Sequence, residues 1–166
     1  MRENHSNQTT PDRLRVEDAQ ALQQFYNNLS TATKRLFSPI GQEASAADIA
    51  NIMEQLRRKR RFDIVVRGDD AIVGWAFVAG LDGDVANLGI GLTERYCGQG
   101  LGKRLMGRLI EESQRLGKQR IELSVIQTND RALRLYRNFG FRICGEFRGR
   151  YDNLDYFRMR LELGIP

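Results

Sequence analysis

The spacing of hydrophobic positions changes along this chain, and each change marks a different kind of element. Early on they recur every three or four residues. Leu22, Phe25 and Leu29 share one face of "AQALQQFYNNL", and Ile49, Ile52, Met53 and Leu56 share one face of "SAADIANIMEQLRRKR". That spacing predicts two amphipathic helices, N-capped by Asp18 and Ser45. Between them "STATKRLF" predicts a shorter helix, capped by Ser30 and stopped before Pro39 and Gly41. A brief strand is expected ahead of them at Leu14–Val16. From residue 61 the texture becomes β-rich: "RFDIVVR", "AIVGWAFVAGL" and "VANLGIGLT", separated by "GDD" and "DGD", predict a three-stranded antiparallel meander. Helical spacing returns over Leu101–Leu116, with Leu101, Leu105, Leu109, Ile110 and Leu116 facing a core. A strand "RIELSVI", a helix "NDRALRLYRNF" and two closing strands, "GFRICGEF" and "DYFRMRLEL", complete the chain. The order β-helices-βββ-α-β-α-ββ predicts an α/β (α+β) fold with a mixed, mostly antiparallel sheet and flanking helices. The helix between the fourth and fifth strands makes that pair parallel.

Composition narrows the class. The 166 residues fit one domain, read as residues 12–166 behind a disordered polar tail, residues 1–11. No apolar run is long enough to cross a bilayer, and "MRENHSNQTTPDR" lacks the features of a signal or transit peptide, so a cytoplasmic protein without membrane contact is expected. Two cysteines and one histidine build neither a disulfide framework nor a metal site, so no metal is expected. The net charge of +5 is concentrated: Arg95, Lys103, Arg104, Arg108, Arg115, Lys118 and Arg120 face only Glu111 and Glu112 between positions 95 and 120. Basic surface beside a glycine-rich turn suits a polyanionic small ligand or nucleic acid. A second run, Arg57–Arg61, fits a helix C-terminus whose dipole favours cations. Nucleic acid is disfavoured, because no aromatic residues interleave with that run.

Candidate chemistry centres on "GLTERYCGQGLGKRLM", where Gly98, Gly100 and Gly102 alternate as a helix begins. A Walker loop fails here: Cys97 stands in place of its first glycine and Arg104 in place of its hydroxyl. A Rossmann fingerprint fails because Lys103 occupies the third glycine position. A strand, a glycine turn and a basic helix remain. Bare N–H groups and the dipole at a helix start suit a pyrophosphate, although a tight turn that merely uses glycine reads equally well. Downstream, Asn129, Ala132 and Tyr136 form one helical stripe, with Leu135 and Phe139 to one side; an N-cap asparagine and a core tyrosine would give the same pattern.

Taken together, "ANLGIGLTERYCGQGLGKRLM" and "ELSVIQTNDRALRLYRNFGF" resemble the GCN5-related N-acetyltransferase (GNAT) superfamily, whose Gln/Arg-x-x-Gly-x-Gly signature stands here as Arg95 to Gly100. The strand order agrees over residues 12–163. The resemblance implies an acetyl-CoA-dependent N-acetyltransferase, with acetyl-CoA as co-substrate and a primary amine, on a small molecule or a protein, attacking directly within a ternary complex. It implies that Ile90, Gly91 and Leu92 pair with the pantetheine arm. Arg95, Cys97, Gly98, Gln99, Gly100, Leu101, Gly102 and Lys103 would surround the pyrophosphate, the N–H groups of Cys97 through Lys103 holding it. Asn129 and Ala132 would flank the arm, and Tyr136 would act as general acid at the sulfur. Many relatives carry a general-base glutamate on the fourth strand, where this chain has Asn87, or on the fifth, where it has Ser124. Glu122 shares a strand face with Ser124 and is the first candidate base, followed by Asp84, Glu94 and a water relay. Cys97 replaces a frequent phosphate-facing arginine, a loss that Lys103 and Arg104 would offset. The acceptor is expected between residues 25–40 and the last hairpin, residues 148–155, where Arg148, Arg150 and Tyr151 suit a carboxylate or phosphate. A homodimer is left open. The missing carboxylates at Asn87 and Ser124 keep a second reading alive, a non-catalytic acyl-CoA sensor or scaffold.

Overall fold

A computed structural model describes residues 9–164 except residue 69; most of the expected tail, residues 1–8, lies outside the described residues. The elements run β1 (Pro11–Arg13), α1 (Ala19–Asn28), α2 (Thr31–Leu36), α3 (Ala46–Arg57), β2 (Arg61–Gly68), β3 (Ala71–Ala79), β4 (Val85–Leu92), α4 (Leu101–Arg115), β5 (Arg120–Ile126), α5 (Asp130–Asn138), β6 (Arg142–Arg148) and β7 (Asp155–Glu162). Seven strands form one sheet in the order β1-β2-β3-β4-β5-β7-β6, antiparallel throughout except for the parallel β4–β5 pair. Short turns join β2 to β3, β3 to β4 and β6 to β7, three helices separate β1 from β2, and α4 carries the chain across so that β5 can run alongside β4.

Strand alternation sends side chains to two cores. On one face Phe62, Ile64, Val66, Ala86 and Ile121 pack under Leu101, Leu105 and Leu109 of α4 and Leu133 and Tyr136 of α5. On the other, Val65 and Trp75 pack under Leu22, Phe25 and Tyr26 of α1 and Ile49, Ile52 and Met53 of α3. Each such fully buried large side chain stabilises the fold by about 1.5–3 kcal/mol. The second core also encloses a charge. Asp63 accepts from Arg61 at 2.6 and 2.8 Å and from the Trp75 indole at 2.7 Å, and Arg61 lies 4.7 Å from the Phe77 ring centre. Burial pushes the Asp63 carboxyl up, against the opposing pull of Arg61 and the Trp75 N–H.

The three expected cap residues all stand at their helix starts, and two of them make the side-chain cap bond. Ser30 accepts from the Thr33 N–H at 3.1 Å, and Ser45 forms a capping box with Asp48. Asp18 stands at the N-cap of α1 without a side-chain bond there; its carboxylate accepts from the Arg15 N–H at 2.8 Å and closes the 3₁₀ turn (Val16–Asp18) ahead of α1. The first strand is Pro11–Arg13 rather than Leu14–Val16. β2 dictates this, since Pro11 pairs with Val66 and Arg13 with Ile64, and the ladder's last bond runs from the Leu14 N–H to the Asp63 carbonyl. Leu14 is buried, but as a core residue leaving the sheet. The expected tail boundary therefore shifts by one residue, because Pro11 is already in the sheet.

Candidate active site

β4 and β5 stay in register over only three pairs, Val85 with Arg120, Ala86 with Ile121 and Asn87 with Glu122. Beyond them the strands part. β4 follows β3 as far as Leu92 opposite Gly74, and β5 follows β7 as far as Ile126 opposite Tyr156. The split opens a cleft of about 570 Å³. Ile90, Gly91 and Leu92 line one side and Ser124 and Val125 the other. The turn and α4 contribute Glu94, Cys97, Gly98, Gly100, Gly102 and Lys103. Asn129 and α5 contribute Arg131, Ala132, Arg134, Leu135, Tyr136 and Asn138. Ala32, Thr33, Leu36 and Phe37 come from α2 and its end.

The glycines at the cleft have separate reasons. Gly98 and Gly100 have φ of 77° and 80°, a left-handed backbone that L side chains rarely adopt, while a Cβ on either would meet nothing. Their role is conformational. Gly102 allows α4 to approach α5, since its Cβ would stand 3.4 Å from Leu135 Cδ2. Gly91 makes room for the Phe37 ring, which a Cβ there would overlap. Among the described residues, no protein acceptor meets the N–H groups of Gly98 through Lys103. The Cys97 N–H, expected to join them, is instead spent on the Glu94 carbonyl at 3.1 Å, which closes the preceding turn. The row of free donors therefore begins at Gly98.

Tyr136 is largely buried against Phe141, ring centres 5.8 Å apart. Its hydroxyl has no protein hydrogen bond, yet no buried side-chain oxygen among the described residues lacks a partner, so that oxygen reaches the cleft. Burial pushes the phenol up to about 12. Asn129 lines the same wall and caps α5, accepting from the Ala132 N–H at 3.3 Å. The capping and ligand-facing readings of Asn129 are therefore compatible.

Four expected site residues stand outside the cleft walls. Arg95 lies over the Tyr96 ring at 5.8 Å, and the Gln99 side chain folds back to donate to the Arg95 carbonyl at 3.0 Å. Leu101 turns its side chain into the core, leaving only its N–H for a ligand. Glu122 accepts from Arg120 at 2.8 Å, one side-chain step along β5 from Ser124 on the same face. Of the other candidate bases, Asp84 accepts from the Gln119 side chain at the far end of β4. Glu94 does line the cleft, but it takes hydrogen bonds from Ser30 at 2.5 Å and Thr33 at 3.1 Å, and these hold its carboxyl below the usual range. Arg104 donates to the Thr9 carbonyl at 3.3 Å, so among the cationic side chains of α4 only Lys103 lines the cleft.

Sequence reasoning passed over Arg131, Arg134 and Asn138, although they form their own helical stripe beside Asn129, Ala132 and Tyr136. Nothing local marked Leu36 and Phe37. The β6–β7 turn faces α2, with Asp152 within reach of the Arg35 charge. Tyr156 donates to Asp152 at 2.5 Å; burial first, and then Asp152, push its phenol up to about 12. Asp152 is lowered chiefly by that hydroxyl and also by the charge of Arg35 on α2. The two segments expected to flank an acceptor, α2 and this turn, are therefore neighbours.

A mixed sheet split at a parallel pair, with a row of bare N–H groups at the split, is the architecture of a GNAT-type acyltransferase. Comparison with known proteins agrees. The acetyltransferase (GNAT) family model matches residues 22–141, and the chain belongs to that family. It is 36% identical over 115 residues to an uncharacterized N-acetyltransferase of Mycobacterium bovis, covering 67% of this chain and 74% of that protein. It is 46% identical over 56 residues to the spermine/spermidine N(1)-acetyltransferase of Bacillus subtilis, a match that spans only 33% of this chain and 37% of that relative. The spermidine N-acetyltransferase of Vibrio cholerae, solved with CoA and spermine, shares the fold with a TM-score of 0.77 at 18% identity, over 93% of this chain and 95% of that one. Among the described residues no helix is long and apolar enough to cross a membrane.

Proposed function

We propose that the protein moves an acetyl group from acetyl-CoA to a primary amine, on a small molecule or a protein, by direct attack within a ternary complex. One observation carries the reading: the unpartnered N–H groups of Gly98–Lys103 and the protonated Tyr136 share one cleft. The fit to acetyl-CoA is chemical. Six consecutive donors and the Lys103 ammonium suit a pyrophosphate, and Arg131 and Arg134 add cations on the facing wall. The edge of β4 from Ile90 to Leu92 has no β5 partner, so its peptide groups are available to the amides of a pantetheine arm, and Ala132 leaves width for it.

When bound, acetyl-CoA supplies an activated thioester carbonyl. Tyr136 holds its proton at Oη throughout the neutral range, because burial disfavours the phenolate, and so it acts as a donor. The departing thiolate, with a pKa of about 8.5, is a weaker base than a phenolate of about 12. Tyr136 therefore stabilises it by a hydrogen bond from Oη while keeping its proton, and the released thiolate is protonated by solvent. Cys97 has no part as a nucleophile in direct attack; its Sγ rests 3.8 Å from the Thr93 carbonyl. For proton removal from the amine, Glu122 acts through an intervening water. Its register partner is Asn87, so a carboxylate stands beside the position where the family resemblance leads one to expect glutamate, displaced by one strand.

Thiol release from acetyl-CoA across a panel of amines tests the reading, with Tyr136→Phe as its companion. Release that requires an amine and falls in the variant supports it. Stabilisation by acetyl-CoA with no release from any amine would favour the non-catalytic sensor or scaffold.

A further inference from the structure

We infer that the acceptor amine carries an oxyanion, a carboxylate or phosphate, and that Arg158 on β7 selects it; the inference rests on the amine-acetylating reading above. Ser124 forms part of the cleft wall, and Arg158 is its register partner across the β5–β7 ladder. Residues so paired stand about 5 Å apart at Cα with side chains on one face. The Arg158 guanidinium therefore rises beside the end of the cleft. It is exposed and lies 5.5 Å from the Phe147 ring centre, while Phe147 stacks on Tyr156 at 5.1 Å with 8° between the planes. An aromatic platform fixes the guanidinium plane and leaves its N–H edges free.

Neighbouring arginines lack that freedom. On the same face Arg120 pairs with Glu122 at 2.8 Å and Arg160 with Glu162 at 3.6 Å, whereas Arg158 meets no carboxylate among the described residues. The acids around the mouth are engaged. Glu94 receives Ser30 and Thr33, Asp152 receives Tyr156, and Asp155 pairs with Arg148 at 3.3 Å. A polycation entering here meets the like charges of Arg35 and Arg158, while Glu94, the carboxylate in the cleft lining, is held towards α2 by Ser30 and Thr33. An amine bearing a carboxylate or phosphate finds a planar fork suited to two parallel hydrogen bonds.

Binding to the CoA-saturated protein, measured by calorimetry, tests this without requiring turnover. The probes are 6-aminohexanoate, phosphoethanolamine, hexylamine and spermidine. At least one oxyanion-bearing amine should bind ten-fold or more tightly than hexylamine and spermidine, and the two such probes distinguish carboxylate from phosphate. Arg158→Gln should abolish the preference and Arg158→Lys retain part of it, with CoA affinity unchanged in both. Tightest binding of spermidine, equal or absent binding of all four probes, or a preference that survives Arg158→Gln would overturn the assignment. Absence of thiol release, with the binding preference intact, would count against the transferase reading alone.

Discussion

Gly100→Ala separates the shape of the cofactor turn from its mere smallness. A Cβ at this position meets no atom within 4 Å, so crowding plays no part. The backbone is the issue: φ is 80°, and an L-residue there costs roughly 1–2 kcal/mol. The chain has two ways to respond. If it keeps the turn, stability falls by that amount, about 2–8 °C in Tm for a domain of this size, and the acetyl-CoA Kd stays the same. If it relaxes φ, the Tm is spared but the N–H groups of Gly100 and Leu101 swing away. Restoring them on binding then takes up the same energy, raising Kd by about 5- to 30-fold. The two responses belong to one thermodynamic cycle, so the losses in stability and in binding should sum to roughly 1–2 kcal/mol. Thermal unfolding and calorimetry with acetyl-CoA measure both. Gly107→Ala is the control, a glycine inside α4 with no Cβ contact and an ordinary φ, and should gain about 0.5–1 kcal/mol. If Gly100→Ala leaves both Tm and Kd unchanged, the left-handed turn is not what positions these donors.

The other expectations follow from the same geometry. Tyr136→Phe should unfold near the wild-type temperature, since no protein hydrogen bond is lost, while thiol release falls by roughly 10²- to 10³-fold through loss of the donor to the departing sulfur. Because its pKa is raised to about 12, Tyr136 stays protonated until pH climbs towards that value, so kcat should show no tyrosine-dependent fall between pH 7 and 10. A limb in that range that vanishes in Tyr136→Phe would contradict the assigned protonation state. Glu122→Gln should lower kcat by roughly 10²- to 10⁴-fold, whereas Glu94→Gln should largely preserve kcat and act through looser α2 docking; the reverse result would assign the base to Glu94. Asp63→Asn should destabilise the fold by about 3–5 kcal/mol in chemical denaturation, because it leaves Arg61 buried without its counter-charge.

Legibility in the sequence tracked how local each determinant was. The α4 and α5 helices and the glycine turn carry their own signals: a cap, a stripe, a backbone that only glycine takes easily. Those features were readable without the rest of the chain. Leu14–Val16 looked like a strand because it is apolar, but the register of β2 decides which residues pair, and it selects Pro11–Arg13. Asp18 stands at the N-cap of α1 as its chemistry suggests, yet its carboxylate bonds the Arg15 N–H across a 3₁₀ segment that its own spacing does not reveal. Walls supplied from a distance were invisible. Phe37 comes to rest against Gly91 from more than fifty residues away, and Arg158 reaches Ser124 only through the β7 ladder.

Glu122 marks the limit of reading one strand at a time. Alternation correctly placed it on the Ser124 face, but the same rule puts Arg120 there too, and the two side chains bond to each other. Their pairing still leaves the second carboxylate oxygen, Oε2, without a bond to Arg120. Arg120 bonds one carboxylate oxygen, Oε1, and the register sets Glu122 beside Asn87, at the level of the sheet just before β4 and β5 part. The apparent loss of a base at Asn87 is thus a question about two adjacent strands. A parallel pair that holds for three residues and then splits leaves an acid on one strand about 10 Å short of Ile90, where the other begins to line the cleft, a gap that suits a water relay better than direct contact.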